Sequence, residues 1–575
     1  MSSESFVSSG TRTQSEVFAV HGADPEILAF AMAKYSRSSL SMRESLTEIS
    51  AQRAEQFLNT FYFQYGHRSI ADLAHIAFAV ERLSLLAAIV LVDETRWDGQ
   101  ERSTRYQNFL ESGWHFPEFG EDSASAKLYS ETIESLFDAY RRVSAAVLEL
   151  LRGRVARPET LKPEAYERTL RARAFDVARY LLPLATNTSL GQIVSARTLE
   201  TQVSRLLSHP TAEVRLLGEK LREAAIGPAW NLNARAAQAF IDKLSHAEAL
   251  YQSKKTEALY KSKEAEALYQ GATSVAPRGD DPVEGVLAPE GSLAAEAAAL
   301  FTREIRTAPT LVKYAQANPY LIESQAELAQ VAAQVLKDLP IAPAPLVDLV
   351  ERTESLEVEL AATLLYSASH HPYRSIRDLV SALPGSQVSE LIELGVKHRG
   401  RHDELLRAFH AGAALRFDLL MDIGGFRDMH RHRRCTQIIQ GFTSQHGYET
   451  PGAGDLLAGP ENDFDILAAA GVLADYRAAI ASAHHAAAQI AAGPAPEAAQ
   501  SAQYLFPLAT RIRALFKMDF AEAQYITELR SGPAGHFSYR RVAWEMFLAL
   551  QRQHPALAKH IRVTDFTQPI DLFQR

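Results

Sequence analysis

The stretch ARYLLPLAT (178–186) returns as AQYLFPLAT (502–510), which places Pro183 and Pro507 324 residues apart. Two further echoes keep the same order. The pair His67/His75, eight apart, returns as His402/His410, and YSRSSLSMR (35–43) has a weaker echo in YSASHHPYR (366–374). Repeats in one order argue for duplication and fusion rather than chance. Such a chain folds as two similar halves, and fused copies sit as a pseudo-dimer whose sites can be shared.

The divide is marked by composition. Residues 248–274 read EALYQSKKT EALYKSKEA EALYQGATS, a nine-residue repeat. Nine residues make two and a half helical turns, so the Leu-Tyr pairs alternate sides and form no continuous stripe. This predicts a solvated helical spacer. The following GATSVAPRGDDPVEGVLAPEGS (271–292) is rich in Gly, Pro and Asp and reads as a flexible linker. The expected organisation is a first domain over 1–245, a spacer over 246–292 and a second domain over 293–575. Elsewhere apolar residues recur every three or four positions, as in ETIESLFDAYRRVSAAVLELLRG, so the expected fold class is α+β and helix-rich.

Bulk numbers exclude several functions. A chain of 575 residues that is 47% hydrophobic exceeds one ordinary core. Its net charge of −9 opposes coating of nucleic acid or of an anionic membrane. The single cysteine, Cys435, allows no internal disulfide and no cysteine zinc site. The N-terminal MSSESFVSSGTRTQSE has no apolar signal core, so a cytoplasmic location is expected. The longest apolar run, LLAAIVLV (85–92), is eight residues, short of a membrane span.

Against that acidic background stands MHRHRRCTQ (429–437), with His430, Arg431, His432, Arg433 and Arg434 side by side. Such crowding calls for an anion, and in an acidic chain a small one such as a nucleotide phosphate. The first half offers YGHRSIADLAH (65–75) and DGQERSTRYQNF (98–109). There Arg105 neighbours the Ser103 and Tyr106 hydroxyls and Glu101, a good phosphate or uracil-type cradle. The bland alternative is a capped helix start with an exposed arginine.

Together GHRS, ERSTRY, ARYLLP and RHRRCT resemble the flavin-dependent thymidylate synthases, whose signature is R-H-R-x-x-S, then glutamate and S-x-R-Y, preceded by G-H-x-S. The resemblance covers the core of each half. It implies FAD as cofactor, NADPH and methylenetetrahydrofolate as co-substrates, and a pyrimidine deoxynucleotide as substrate. In the first half it gives His67 and Ser69 to the flavin, with Glu101, Ser195 and Arg197. The nucleotide falls to Arg102, Thr104, Arg105 and Tyr106, with Arg179 on its phosphate, and Ser103 joins the catalytic group. Counting back from Ser103, the R-H-R position falls on Asp93-Glu94-Thr95, a charge reversal. The pyrimidine-ionising arginine falls on Leu206, beside Arg205.

The second half shows the reverse pattern. Arg431, His432 and Arg433 match the triplet, with Thr436 for its serine, Asp428 on the substrate side and Arg530 at the pyrimidine-ionising position. The S-x-R-Y register lands on GFTS (441–444), Gln503 replaces the phosphate arginine, and Asp519 and Ala521 replace the flavin asparagine and arginine. Aligning His402 with His67 instead pairs Arg431 with Arg96, so two registers stand three residues apart. In this family the site is shared between chains. The expectation is a composite site, with the triplet and Arg530 from one half and the S-x-R segment from the other, in a homodimer of pseudo-dimers.

Three other readings remain open. Zinc could use His430 and His432 with the His370-His371 or His484-His485 pairs, but flanking arginines weaken cation binding. The basic run could dock on nucleic acid, though net acidity opposes it. The chain could also be a degenerate, non-catalytic scaffold that still binds flavin or nucleotide.

Overall fold

The computed structural model describes residues 23–34, 68–269, 295, 304–400, 403, 405–452, 465–568 and 573. His67, His402, the YSRSSLSMR echo and the 271–292 linker lie outside these residues. The chain forms two compact units: residues 1–74 with 223–313, and residues 75–222 with 314–575. In the smaller unit the helix Pro25–Lys34 places Glu26 where its carboxylate accepts the backbone N–H groups of Thr310 and Leu311, at 2.8 and 2.7 Å. The helix Leu232–Tyr269 carries the described part of the nine-residue repeat, with Leu250 and Tyr251 half or more exposed.

The larger unit is helix-rich and contains two small antiparallel sheets. Strands β1 (His75–Ser84), β2 (Asp98–Glu101) and β3 (Asn187–Ser195) form the first, in the order β1-β3-β2. Strands β4 (Val347–Leu349), β5 (Leu415–Asp422), β6 (Thr436–Ile439) and β7 (Arg511–Met518) form the second, in the order β4-β5-β7-β6. Short helices α1 (Leu85–Leu91) and α3 (Ile423–Met429) follow β1 and β5. Helices α2 (Ala196–Leu207) and α4 (Phe520–Ser531) follow β3 and β7, and α5 (Phe537–Gln553) comes after α4.

The sheets settle the register. Ser84 pairs with Asn187 and Asp422 with Arg511. Asn187 and Arg511 differ by 324, so Ser84 and Asp422, which differ by 338, are equivalent. The β2–β3 and β6–β7 pairings give the same offset, matching Asp98 to Thr436 and Glu101 to Ile439. Subtracting 338 puts Arg431-His432-Arg433 on Asp93-Glu94-Thr95. The count from the histidine pair gives an offset of 335, which the sheets do not support: before the bulge of β1 at Arg82 (φ 59°) Ile76 faces Val194 and Leu415 faces Met518, an offset of 339.

The repeated PLAT segments lie against each other. Leu184 and Ala185 donate backbone N–H groups to Phe506 and Tyr504 (both 2.9 Å), and Leu508 and Ala509 donate to Leu182 and Tyr180 (both 3.0 Å). Each bond recurs with its partners exchanged by the 324 offset, the reciprocity of a two-fold interface. A pseudo-dimer is therefore built into one chain. It is clamped further by the helix Ser123–Arg154, which packs on Leu473–Ala491 and whose buried side includes Ile133, Leu136, Tyr140 and Val143. Their spacing of three to four is that of a single buried helix face.

Candidate functional site

The basic loop leaves the C-terminus of α3 and ends at β6. Its two histidines face opposite ways. Arg530, on α4, donates Nε–H to His432 Nε2 at 2.7 Å, so that nitrogen is an acceptor and the ring carries its proton on Nδ1, 3.6 Å from Glu522. Burial, then Arg530, pushes the His432 pKa down despite the Glu522 hydrogen bond. His430 Nδ1 lies 2.7 Å from Gln437 Oε1; because Gln437 Nε2 donates to the His432 carbonyl, the oxygen accepts and His430 donates. Burial holds His430 at about 4, hence neutral.

On one side of the loop the S-x-R segment of the first half meets the second half. Arg105 is buried and forks onto Asp176, with Nε–Oδ1 at 2.7 Å and Nη2–Oδ2 at 3.2 Å. It also donates to the Ala534 carbonyl and the Tyr539 hydroxyl, both at 3.3 Å. Arg530 lies 5.5 Å from the Tyr539 ring centroid, so Tyr539 bridges the two arginines. Arg431 is exposed and reaches Gln100 at 3.4 Å, while Arg427 pairs with Glu101. Arg179 is buried, with Nη1 3.3 Å from Asp428 and with Nε and Nη2 lacking hydrogen-bond partners among the described residues. Burial raises the Asp428 pKa, but Arg179, Arg105, His536 and Arg530 together hold it below the usual range. For Asp176, too, Arg105, His536 and Arg173 outweigh burial and hold the carboxyl well below its ordinary value.

The composite set thus converges in part. Arg105, Arg179, Asp428, Arg530, His432, Arg431 and Glu101 belong to one connected neighbourhood drawn from both halves. Other residues are engaged elsewhere. Arg102 clips its own loop, donating to Ser112 and the Asn108 carbonyl over the Phe109 ring. Ser103 accepts the Arg105 N–H at 3.2 Å; Thr104 is buried and Tyr106 is half exposed. Ser195 is spent as the N-cap of α2, accepting the Thr198 N–H at 3.2 Å, while Arg197 is half-buried. Arg205 is held by Glu94 (2.7 Å) and by the Val90 carbonyl (2.9 Å) rather than by the site, and Leu206 is buried. Ser69 is exposed, in the smaller unit.

The sequence reading missed Asp176, Arg427, His536 and Tyr539. Asp176 had a signal: a lone acid inside the apolar run AFDVA, which in a folded chain needs a cation. Among the described residues no group of three or more His, Cys, Asp or Glu is set to hold a metal ion, and no helix is long and apolar enough to cross a membrane.

Comparison with known proteins adds a family. The family described as "Thymidylate synthase complementing protein" matches at residues 18–229 and again at 348–556, one segment in each half. A "UPF0159 protein" of Chlamydia muridarum is 26% identical over 586 residues, covering 97% of this chain and 94% of that one. Another, from Thermoplasma acidophilum, is 23% identical over 571 residues, covering 93% and 94%. Among solved structures, a flavin-dependent thymidylate synthase from Helicobacter pylori, complexed with FAD and dUMP, is 17% identical. It covers 35% of this chain and 89% of that one, and its TM-score of 0.24 is too low to carry an argument.

Proposed function

The chain belongs to the thymidylate synthase complementing protein family, and on that premise we propose that it binds a pyrimidine deoxynucleotide in one composite site and methylates it reductively, dUMP to dTMP. The observation that carries the reading is Arg179: a buried guanidinium with two nitrogens that have no hydrogen-bond partner among the described residues, beside Asp428 and near Arg105 and Arg530. A buried cation with open donors suits a phosphate. Arg530 would stabilise the charge that develops when the pyrimidine loses its ring proton. Its hold on His432 sets the ring tautomer and fixes the loop for that task. Asp176 is a positioning residue that keeps the Arg105 fork in place.

FAD fits the second half's loop and the first half's strand end. Arg431 is exposed and would take a flavin phosphate or carbonyl, with Arg433 behind it and Arg197 on α2. Asp519 does not fit, since it pairs with Arg434 at 2.6 Å. When bound, the flavin would pass the electrons of NADPH to the one-carbon unit of methylenetetrahydrofolate. The domain limits 1–245 and 293–575, a cytoplasmic location and a homodimer of pseudo-dimers belong to the same proposal.

One observation favours a non-catalytic nucleotide-binding homologue instead. The donors of Arg105 are taken by Asp176, Ala534 and Tyr539, which leaves little for a ligand. Calorimetric titration with dUMP, with and without FAD, separates the readings, joined to an assay for dTMP. Losing one charged hydrogen bond to bound phosphate costs about 2–5 kcal/mol, so Arg179→Ala should weaken dUMP tens- to thousands-fold. Binding without turnover in the presence of all co-substrates would establish the second reading. No dUMP binding at all would end both.

A further inference from the structure

Beside the basic loop lies a small cavity of about 20 Å³, which shares His432 with the proposed nucleotide site. Its walls hold Asp93-Glu94-Thr95 from the first half and, from the second, His432 and Arg433 of the equivalent triplet with Arg407, His430 and Gln437. Three arginines converge on residues 90–94. Arg407 pairs with the Asp93 carboxylate and donates to its carbonyl at 3.0 Å. Arg205 reaches Glu94 at 2.7 Å and the Val90 carbonyl at 2.9 Å. Arg433 donates to the Val92 carbonyl at 2.6 Å and lies 5.0 Å from the Trp97 ring centroid. The acceptors are two carboxylates and the carbonyls at the end of α1, which carry the negative end of its dipole. Burial raises the Asp93 pKa, but Arg407 with Arg205 outweighs it and keeps the group ionised, whereas burial pushes the Glu94 carboxyl up despite Arg205.

In a symmetric assembly both triplets would be basic, and these cations would face each other. Here one has become acidic where the other stayed basic. We propose that Asp93 and Glu94 form a tethered anion that fills this second basic pocket, so that the fused chain offers one nucleotide site where its pseudo-symmetry would have made two. The count of one rests on the nucleotide reading above; the filled pocket does not. Truncating the two side chains should leave Arg407 and Arg433 facing an enlarged cavity without a counter-ion, and a small oxyanion should enter it.

The test uses the full chain and inorganic phosphate. Calorimetry on Asp93→Ala/Glu94→Ala should find one more equivalent of phosphate per chain than wild type. Adding Arg407→Ala should remove that equivalent. In wild type, Arg407→Ala alone should change neither the phosphate nor the dUMP count. A folded double variant that gains no phosphate overturns the proposal, as does a wild-type phosphate site lost on Arg407→Ala. If the double variant does not fold, the single Asp93→Ala is read in the same way, with phosphate bound at least about tenfold tighter than wild type at this pocket. For dUMP, two equivalents per wild-type chain would overturn the tethered anion. None would end the nucleotide reading while the phosphate gain still decides the pocket.

Discussion

At the end of β1 the helix cap is a hydroxyl and its partner a carboxylate; at the end of β5 the two are exchanged. Ser84 caps α1 and donates to Glu213 Oε2 at 2.6 Å, and Glu213 Oε1 also accepts the Ser84 N–H at 2.9 Å. Asp422 caps α3, and Ser538 donates to it. Glu213 and Ser538 are each the second residue of the helix that packs there. Each site keeps one carboxylate with a serine hydroxyl donating to it, Glu213 taking a second donor from Tyr504 at 2.8 Å, and neither pair is two acids. Two buried carboxylates in contact cannot both ionise cheaply, and two hydroxyls would forfeit the stronger charge-assisted bond. The backbone fixes the pair, and chemistry fixes only its sum. Gly425 belongs to the exchanged version: a Cβ there would lie 2.5 Å from Ser538 Oγ. The first half has Ala87 at the equivalent place. The triplets follow the same logic on a larger scale, one acidic and one basic, joined across the pseudo-two-fold.

This comparison can be broken most severely at Asp176. The 324 offset makes Gln500 its equivalent in the second half, a neutral side chain, so only the first half carries the buried pair with Arg105. Asp176→Ala should leave Arg105 buried and unpaired and destabilise the chain by about 3–5 kcal/mol in denaturant unfolding. A loss under about 1 kcal/mol would mean that Ala534 and Tyr539 suffice for the guanidinium.

The next largest effect is pH-dependent and belongs to the second half. Burial, against Ser538 and Arg179, raises the Asp422 pKa from 3.8 to about 6. A folded-state pKa above the unfolded value gives stability that is fully present below about pH 4 and lost as pH rises through about 6, worth roughly 3 kcal/mol at about 1.36 kcal/mol per unit. Asp422→Asn should flatten that window in stability–pH curves, whereas Ser84→Ala should leave its shape unchanged. Asp93 and Asp176 act with the opposite sign. Their carboxyls are held low, so their contribution is present above about pH 4 and lost as pH falls further.

The exchange itself is sharpened by a cycle. Ser84→Asp alone sets an acid against Glu213 and should cost about 2–3 kcal/mol. Adding Glu213→Ser should restore most of it, with a coupling of about 1–3 kcal/mol. Additive single effects would show that the two sites diverged independently. The smallest effect is at Arg434, paired with Asp519 on the surface with both side chains more than half exposed. Arg434→Ala should change stability by less than about 1 kcal/mol.

The duplication, the helix-rich class and the basic triplet were legible along the chain, because each is a pattern of spacing. ARYLLPLAT and AQYLFPLAT announce two halves before any contact is known. The sequence could also show that each half had lost what the other kept: Arg105 with no counterpart in GFTS, Arg530 with none at Leu206. It could not show who pairs with whom. Arg205, one residue from the position the resemblance makes catalytic, is turned to Glu94, and Ser195, which the resemblance gives to a flavin, is spent capping a helix. Which carboxylate meets which guanidinium depends on segments far apart in the chain, as with Asp93 and Arg407, 314 residues apart. The cost of burying a charge is fixed by residue type, but the partner that offsets it is chosen only when the two halves fold onto each other.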